Sequence, residues 1–95
     1  MVRIRRLVLD VLKPHDPGTV AFTEGIGELE GIEGVTATLV EIDENVRTLR
    51  VTLEGEALDV DAIEDRITDL GGSVHSVDEV SCGERIVEDS WTGGR

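Results

Sequence analysis

The chain has 95 residues, 39% of them apolar, and its 21 acidic against 9 basic side chains give a formal net charge of −12. A chain of this length forms one domain and buries roughly two-thirds of the surface that its unfolded state exposes. So acidic a surface repels phosphate groups, and Phe22 and Trp91 are the only aromatic residues that could stack on bases. We therefore expect no nucleic-acid partner.

The basic residues are almost all arginine, because Lys13 is the only lysine. An acidic excess with so little lysine suits a cytosol kept at high salt, where screening suppresses self-repulsion. We expect a halophilic source; the alternative is an ordinary acidic protein that prefers arginine. No stretch reaches the length of a membrane span or resembles a signal-peptide core, which predicts a cytoplasmic protein without a membrane partner. Cys82 stands alone, so no disulfide framework is expected.

The first predicted element is a strand over residues 3–12, dense in leucine and β-branched residues and ended by Lys13-Pro14. A turn at residues 16–19 then begins a helix, which Gly31 and Gly34 interrupt. Its apolar residues fall close to one helical face: Val20, Phe22, Ile26 and Leu29.

The next two strands, over residues 35–43 and 47–54, form a predicted β-hairpin around Asp43-Glu44-Asn45. A second helix follows, with Asp59 or Asp61 as its cap and Gly71-Gly72 at its end. The last strand covers residues 73–81. We assign residues 1–88 to the domain and expect residues 89–95 to be a flexible C-terminal tail.

The order strand, helix, strand, strand, helix, strand predicts a ferredoxin-like α+β fold, βαββαβ, with a four-stranded antiparallel sheet and two helices on one face. Side-chain alternation then assigns the uncovered face of the sheet. At its centre Asp10, Arg50 and His75 are expected to be lateral neighbours, either as an ion pair beside a hydrogen-bonded histidine or as a ligand site.

Apolar side chains are also expected on the uncovered face. A sizeable apolar patch on a surface meant for water usually marks association. We therefore expect a homo-oligomer in which a second subunit covers this face; the alternative is an open sheet with scattered apolar residues. The expected interface residues are Val8, Leu12, Val40, Ile42 and Val77.

Imidazole and carboxylate groups cluster in three segments, at residues 15–16, 41–43 and 75–79. Their oxygen-rich content favours magnesium or calcium over zinc. In a chain with 21 acids such clusters also arise by chance. No nucleophile-base pattern or phosphate-cradling loop is present, so we expect a non-catalytic protein.

Three segments resemble a known family: residues 6–15, residues 31–35 leading to 41–43, and residues 71–80. The chain is similar, from residue 4 to about 88, to the archaeal family of small uncharacterised proteins called domain of unknown function 211. The resemblance implies a ferredoxin-like fold, an archaeal cytoplasm, ring-like or other higher homo-oligomers, and no established activity. The family motif concentrates on the candidate ligand or ion residues, which are Asp10, Lys13, His15, Asp43, His75, Asp78 and Glu79.

Residues 16–21 are also similar to the helix start of amino-acid-binding regulatory domains of the ACT type, which share this element order. The backbone donors at Gly18 and Thr19 could bind a small carboxylate. Two hypotheses follow: a non-catalytic self-assembling domain, or a regulatory module that binds a small ligand or a divalent cation.

Overall fold

The computed structural model describes residues 2–88 and contains the six predicted elements in the predicted order. Their bounds are β1 Ile4–Pro14, α1 Thr19–Gly27, β2 Gly34–Ile42, β3 Val46–Glu54, α2 Val60–Asp69 and β4 Ser73–Cys82. The strands lie in the order β2-β3-β1-β4, and every neighbouring pair is antiparallel. The predicted ferredoxin-like α+β fold is confirmed. The predicted tail, residues 89–95, lies outside the described residues.

Helix α2 begins and ends at residues that satisfy its free backbone groups. The Asp59 carboxylate accepts a hydrogen bond of 3.2 Å from the amide three residues on, as a capping residue does. At the other end Gly71 has a φ of 94°, and its amide donates to the Thr68 carbonyl while the Gly72 amide donates to Ile67. This is a Schellman ending, which explains why two glycines stop the helix here.

The hydrophobic core lies between the two helices and one face of the sheet. Its fully buried members are Leu7, Leu9 and Val11 of β1, Leu49, Val51 and Leu53 of β3, Phe22 and Ile26 of α1, and Ile63 and Ile67 of α2. The expectation that Val20 shares this face is wrong, since Val20 is 72% exposed. Val20 precedes Phe22 by two positions, so its side chain points roughly 200° away around the helix.

The last strand, β4, contains irregularities that change which side chains share a face. Its pairing with β1 skips one residue of β4 between Val8 and Leu9, so that Val77 lies opposite Leu9. Cross-strand partners share a face of the sheet, and Leu9 faces the helices. The expectation that Val77 lies on the uncovered face is therefore wrong, because a bulge shifts the alternation by one residue.

The hairpin strand β2 has a similar irregularity at Val40. Leu39 pairs with Leu49, but the next pair joins Glu41 to Thr48, so Val40 is an extra residue. Ile42 consequently lies opposite Arg47, on the helix side of the sheet. The expectation that Ile42 faces the uncovered side is wrong for the same reason as at Val77.

Candidate functional site

The uncovered face of the sheet carries an ionic clamp at one end. Arg6 of β1 reaches Glu54 of β3 at 2.6 Å through Nη1 and Glu79 of β4 at 2.9 Å through Nε. The Nε contact is ionic only, because its hydrogen is not aligned on the carboxylate. The next residue of this face, Val8, lies between its partners Thr52 and Glu79 and is only 6% exposed. Val8, expected to be exposed, is thus covered within the subunit.

The centre of the uncovered face has one of the two expected neighbours of Asp10, Arg50, but Ser76 stands where His75 was expected, and no network joins them. Asp10 pairs in register with Arg50 of β3 and with Ser76 of β4. His75 precedes Ser76 as an extra residue, because the register shifts between Asp10 and Val11. Among residues 2–88, no ion pair joins Asp10 to Arg50 within 4.0 Å, and His75 makes no side-chain hydrogen bond.

The candidate acids of β4 already have partners. Asp78 accepts a hydrogen bond of 2.7 Å from the Ser76 hydroxyl, and Glu79 faces Arg6. No group of three or more His, Cys, Asp or Glu side chains within the described part of the chain is arranged to hold a metal ion. The predicted magnesium or calcium ligands are therefore not gathered into one site.

A second arrangement lies at the end of the sheet where β1 stops and the β2–β3 hairpin turns. Lys13 and Arg47 are cross-strand partners that continue the helix-facing rows of β1 and β3. Lys13 is only 2% exposed; its Nζ donates to the Pro14 carbonyl at 2.8 Å and lies 5.9 Å from the centre of the Phe22 ring. Burial, and then the charge of Arg47, lowers the pKa of Lys13 below its usual 10.5, while Asp16 acts in the opposite direction.

Arg47 joins this lysine to two further candidates. Its Nη2 donates to His15 Nδ1 at 3.0 Å, and its Nη1 lies 3.4 Å from the Asp43 carbonyl oxygen. A guanidinium can only donate, so Nδ1 accepts and the neutral imidazole carries its proton on Nε2. The Asp43 carboxylate accepts from the Asn45 amide at 3.2 Å, which shapes the hairpin turn.

We call Lys13, His15 and Arg47 the hairpin-end cluster. Three sequence-predicted candidates, Lys13, His15 and Asp43, meet at this end. Asp10 and Glu79 lie on the uncovered face, whereas His75 and Asp78 are the two residues of β4 without a partner on β1. Sequence reasoning missed Arg47. The alternation of β3 could have identified it, because Arg47 stands two residues before Leu49 and so falls on the same helix-facing row. Lys13 holds the equivalent position at the end of the row of β1.

A shallow cavity of about 290 Å³ opens at the same end of the sheet. It is lined by Leu12, Lys13 and Pro14 of β1, Asn45 and Val46 of the hairpin, and Gly71 and Ser73 next to β4. Lys13 is the ionisable residue of this lining. The cavity therefore reaches the cluster at Lys13, while His15 and Arg47 lie outside its lining.

The edge strands carry the third candidate feature. Of the eight exposed large apolar side chains found in residues 2–88, five lie on β2 and β4, with exposures between 47% and 59%. They are Leu39, Val40 and Ile42 of β2, and Val77 and Val80 of β4. The exposed apolar surface thus follows the two edges of the sheet and not the middle of its uncovered face.

The element order, the sheet order and the helices define the class of this protein as a small ferredoxin-like α+β domain. The chain belongs to the DUF211 family, described as uncharacterised ArCR, which it matches over residues 5–93. It is 45% identical over 89 residues to the uncharacterised protein MJ0319 of Methanocaldococcus jannaschii, covering 94% of this chain and 92% of that protein. The resemblance seen in the sequence is confirmed. Within residues 2–88, no helix is both long and apolar enough to cross a membrane.

Proposed function

We propose that the protein is a non-catalytic self-assembling domain whose subunits associate through the edge strands β2 and β4. The observation that carries the proposal is that half-exposed apolar side chains line both edges of one sheet. An edge strand presents unpaired backbone donors and acceptors, and natural proteins usually protect long apolar edges by pairing or covering them. A second copy supplies both the missing hydrogen bonds and the apolar contact.

Strand direction supports a head-to-tail arrangement. Because β2-β3-β1-β4 alternate in direction, β2 and β4 of one subunit run antiparallel to each other. A copy placed in the same orientation therefore continues the antiparallel alternation when its β2 lies beside β4. Such a contact is heterologous and closes into a ring when its rotation allows. The two strands, of 9 and 10 residues, differ in length by one residue.

The faces of the two edges also correspond. Leu39 and Ile42 of β2 lie opposite helix-facing positions of β3, and Val77 and Val80 of β4 lie opposite Leu9 and Leu7. In a continued sheet all four side chains fall on the helix side. There they can form one apolar seam between neighbouring subunits.

The proposed seam changes the expected interface. Ile42 and Val77 remain in it, whereas Val40, the extra residue of β2, lies on the same edge strand but is not one of the four seam side chains. Val8 and Leu12 belong to the inner strand β1 and are outside it, with Val8 already covered by its own subunit.

The test is a matched pair of substitutions read by light scattering during size-exclusion chromatography in molar salt. Val77→Glu puts a charge into the seam, whereas Val20→Glu makes the same change at an exposed valine of α1. We expect the wild type and Val20→Glu to be oligomers at micromolar concentration and Val77→Glu to be a monomer or a much weaker oligomer. Burying an unpaired carboxylate costs several kcal/mol, which is enough to separate the subunits. A monomeric wild type, or equal behaviour of the two variants, rejects the proposal.

A further inference from the structure

The hairpin-end cluster places two cations side by side without a carboxylate partner. Among residues 2–88 the ion pairs within 4.0 Å are both made by Arg6, so Lys13 and Arg47 have none. Lys13 donates to a neutral carbonyl, and Arg47 donates to an imidazole and a carbonyl. Asp16 is close enough to influence Lys13 but lies beyond ion-pair distance.

This arrangement is unfavourable for the empty protein. Two like charges repel, and a buried ammonium loses hydration that one carbonyl does not replace. The chain has 21 acidic residues and 9 basic ones, so acidic partners are plentiful. Yet one of the rare places where basic groups gather is left without one. Within residues 2–88 Asp16 offsets the charge of Lys13 only from a distance, which leaves the cluster free to accept an anion from solution.

The donors that remain free suit a small oxyanion. An ammonium has three donors, and Lys13 uses one of them in a hydrogen bond. A guanidinium has five donors, of which Arg47 uses two. The neutral His15 adds Nε2–H, because its Nδ1 is occupied by Arg47. The neighbouring cavity of about 290 Å³ provides room for a small molecule against Lys13.

We propose that the hairpin-end cluster is a binding site for a small oxyanion, a phosphate or a carboxylate group, held between Lys13, Arg47 and His15. Charge-assisted hydrogen bonds of this kind are shorter and stronger than neutral ones. The site lies at the end of the sheet and uses none of the apolar edge residues. Arg47 lies opposite Ile42 of the seam, so anion binding is measured separately from the oligomeric state.

The first test uses Lys13 as its own reporter. Because it is the only lysine, a sample labelled with ¹³C-lysine gives one Cε resonance by NMR. Separate titrations with inorganic phosphate and with succinate, at constant ionic strength against chloride, distinguish the two sources of oxyanion. We expect the resonance to shift saturably with at least one of them at millimolar concentration. No saturable shift with either anion overturns the proposal.

A matched pair of arginine variants shows whether the response belongs to this site. Arg47→Gln removes a proposed ligand, whereas Arg50→Gln removes the same charge from the same strand on the uncovered face. We expect the dissociation constant to rise about tenfold or more in Arg47→Gln, since a charge-assisted hydrogen bond is lost, and to change less than about twofold in Arg50→Gln. Equal weakening in both variants overturns the proposal, because it reflects net charge alone.

The role of Lys13 is tested by thermal unfolding, because a variant without Lys13 gives no lysine signal in the NMR experiment. Lys13→Met keeps an unbranched side chain in place of the buried lysine stem and removes the ammonium group. The anion that shifts the resonance is expected to raise the melting temperature of the wild type and of Arg50→Gln, but not that of Lys13→Met. A folded Lys13→Met protein that is stabilised as much as the wild type contradicts the assignment of Lys13.

Discussion

Lys13 is a buried cation at a position where the pattern of its strand calls for an apolar side chain. It follows Leu7, Leu9 and Val11 on the helix-facing row, and its Nζ lies 5.9 Å from the centre of the Phe22 ring. The long apolar stem of lysine fills the end of the core, while the ammonium reaches the Pro14 carbonyl. The charge is tolerated here at a cost, which the lowered pKa expresses.

Replacing the charge of Lys13 is expected to stabilise the protein in the absence of anions. Lys13→Met retains the packing of the stem and removes both the desolvation of the ammonium and its repulsion from Arg47. A rise of about 1 kcal/mol in the free energy of unfolding is expected at neutral pH, in keeping with apolar replacements of buried charges. Denaturant unfolding in chloride measures it, and a loss of similar size contradicts this account of Lys13.

The pH dependence provides the control for that substitution. Below the lowered pKa, Lys13 is protonated in both the folded and the unfolded chain, and the cost of its charge is constant. Between that pKa and 10.5 the unfolded chain binds more protons, so the free energy of unfolding of the wild type rises with pH. The advantage of Lys13→Met is therefore expected to shrink as the pH rises through this window. An advantage that is independent of pH refutes the electrostatic origin.

At the scale of the elements, the order of strands and helices follows from apolar periodicity and from glycine and proline signals. These signals are local, so the cap at Asp59 and the glycine ending of α2 could be predicted from neighbouring residues. The faces of β2 and β4 could not. One extra residue in a strand reverses every later side chain, and the bulge at Val40 or beside Val77 is set by the partner strand, not by a local pattern.

The hairpin-end cluster depends on the same long-range information. His15 and Arg47 are 32 positions apart in the chain, and only the antiparallel register of β1 and β3 brings them together. Sequence reasoning could select Lys13, His15 and Asp43 as candidates one by one. Their common partner Arg47 became identifiable only once the register was known.

The joint between α2 and β4 provides a prediction about packing. A Cβ atom added at Gly72 would lie 2.8 Å from Cζ of the buried Phe22, whereas one added at Gly34 meets nothing within 4 Å. Gly72→Ala is expected to lower the free energy of unfolding by about 1–3 kcal/mol, because Phe22 has no space to move away. Gly34→Ala is expected to change it by less than about 0.5 kcal/mol. Chemical denaturation of both variants measures the contrast, and equal effects contradict the close packing of Gly72 on Phe22.

At the scale of the whole molecule, the net charge of −12 opposes association while the apolar edges favour it. High salt screens the repulsion between subunits and strengthens apolar contact, so both effects act in the same direction. We therefore expect the proposed assembly to be most stable at the high salt concentration that the composition suggests.

Amide hydrogen exchange of β2 and β4, followed by mass spectrometry in molar salt, tests the edge-strand assembly most directly. If subunits pair edge to edge, the amides of β2 and β4 that point away from their own sheet exchange slowly in the wild type and in Val20→Glu, and quickly in Val77→Glu, while β1 and β3 stay protected in all three proteins. Rapid exchange of β2 and β4 in the wild type, at a concentration where light scattering detects an oligomer, contradicts pairing through these edges.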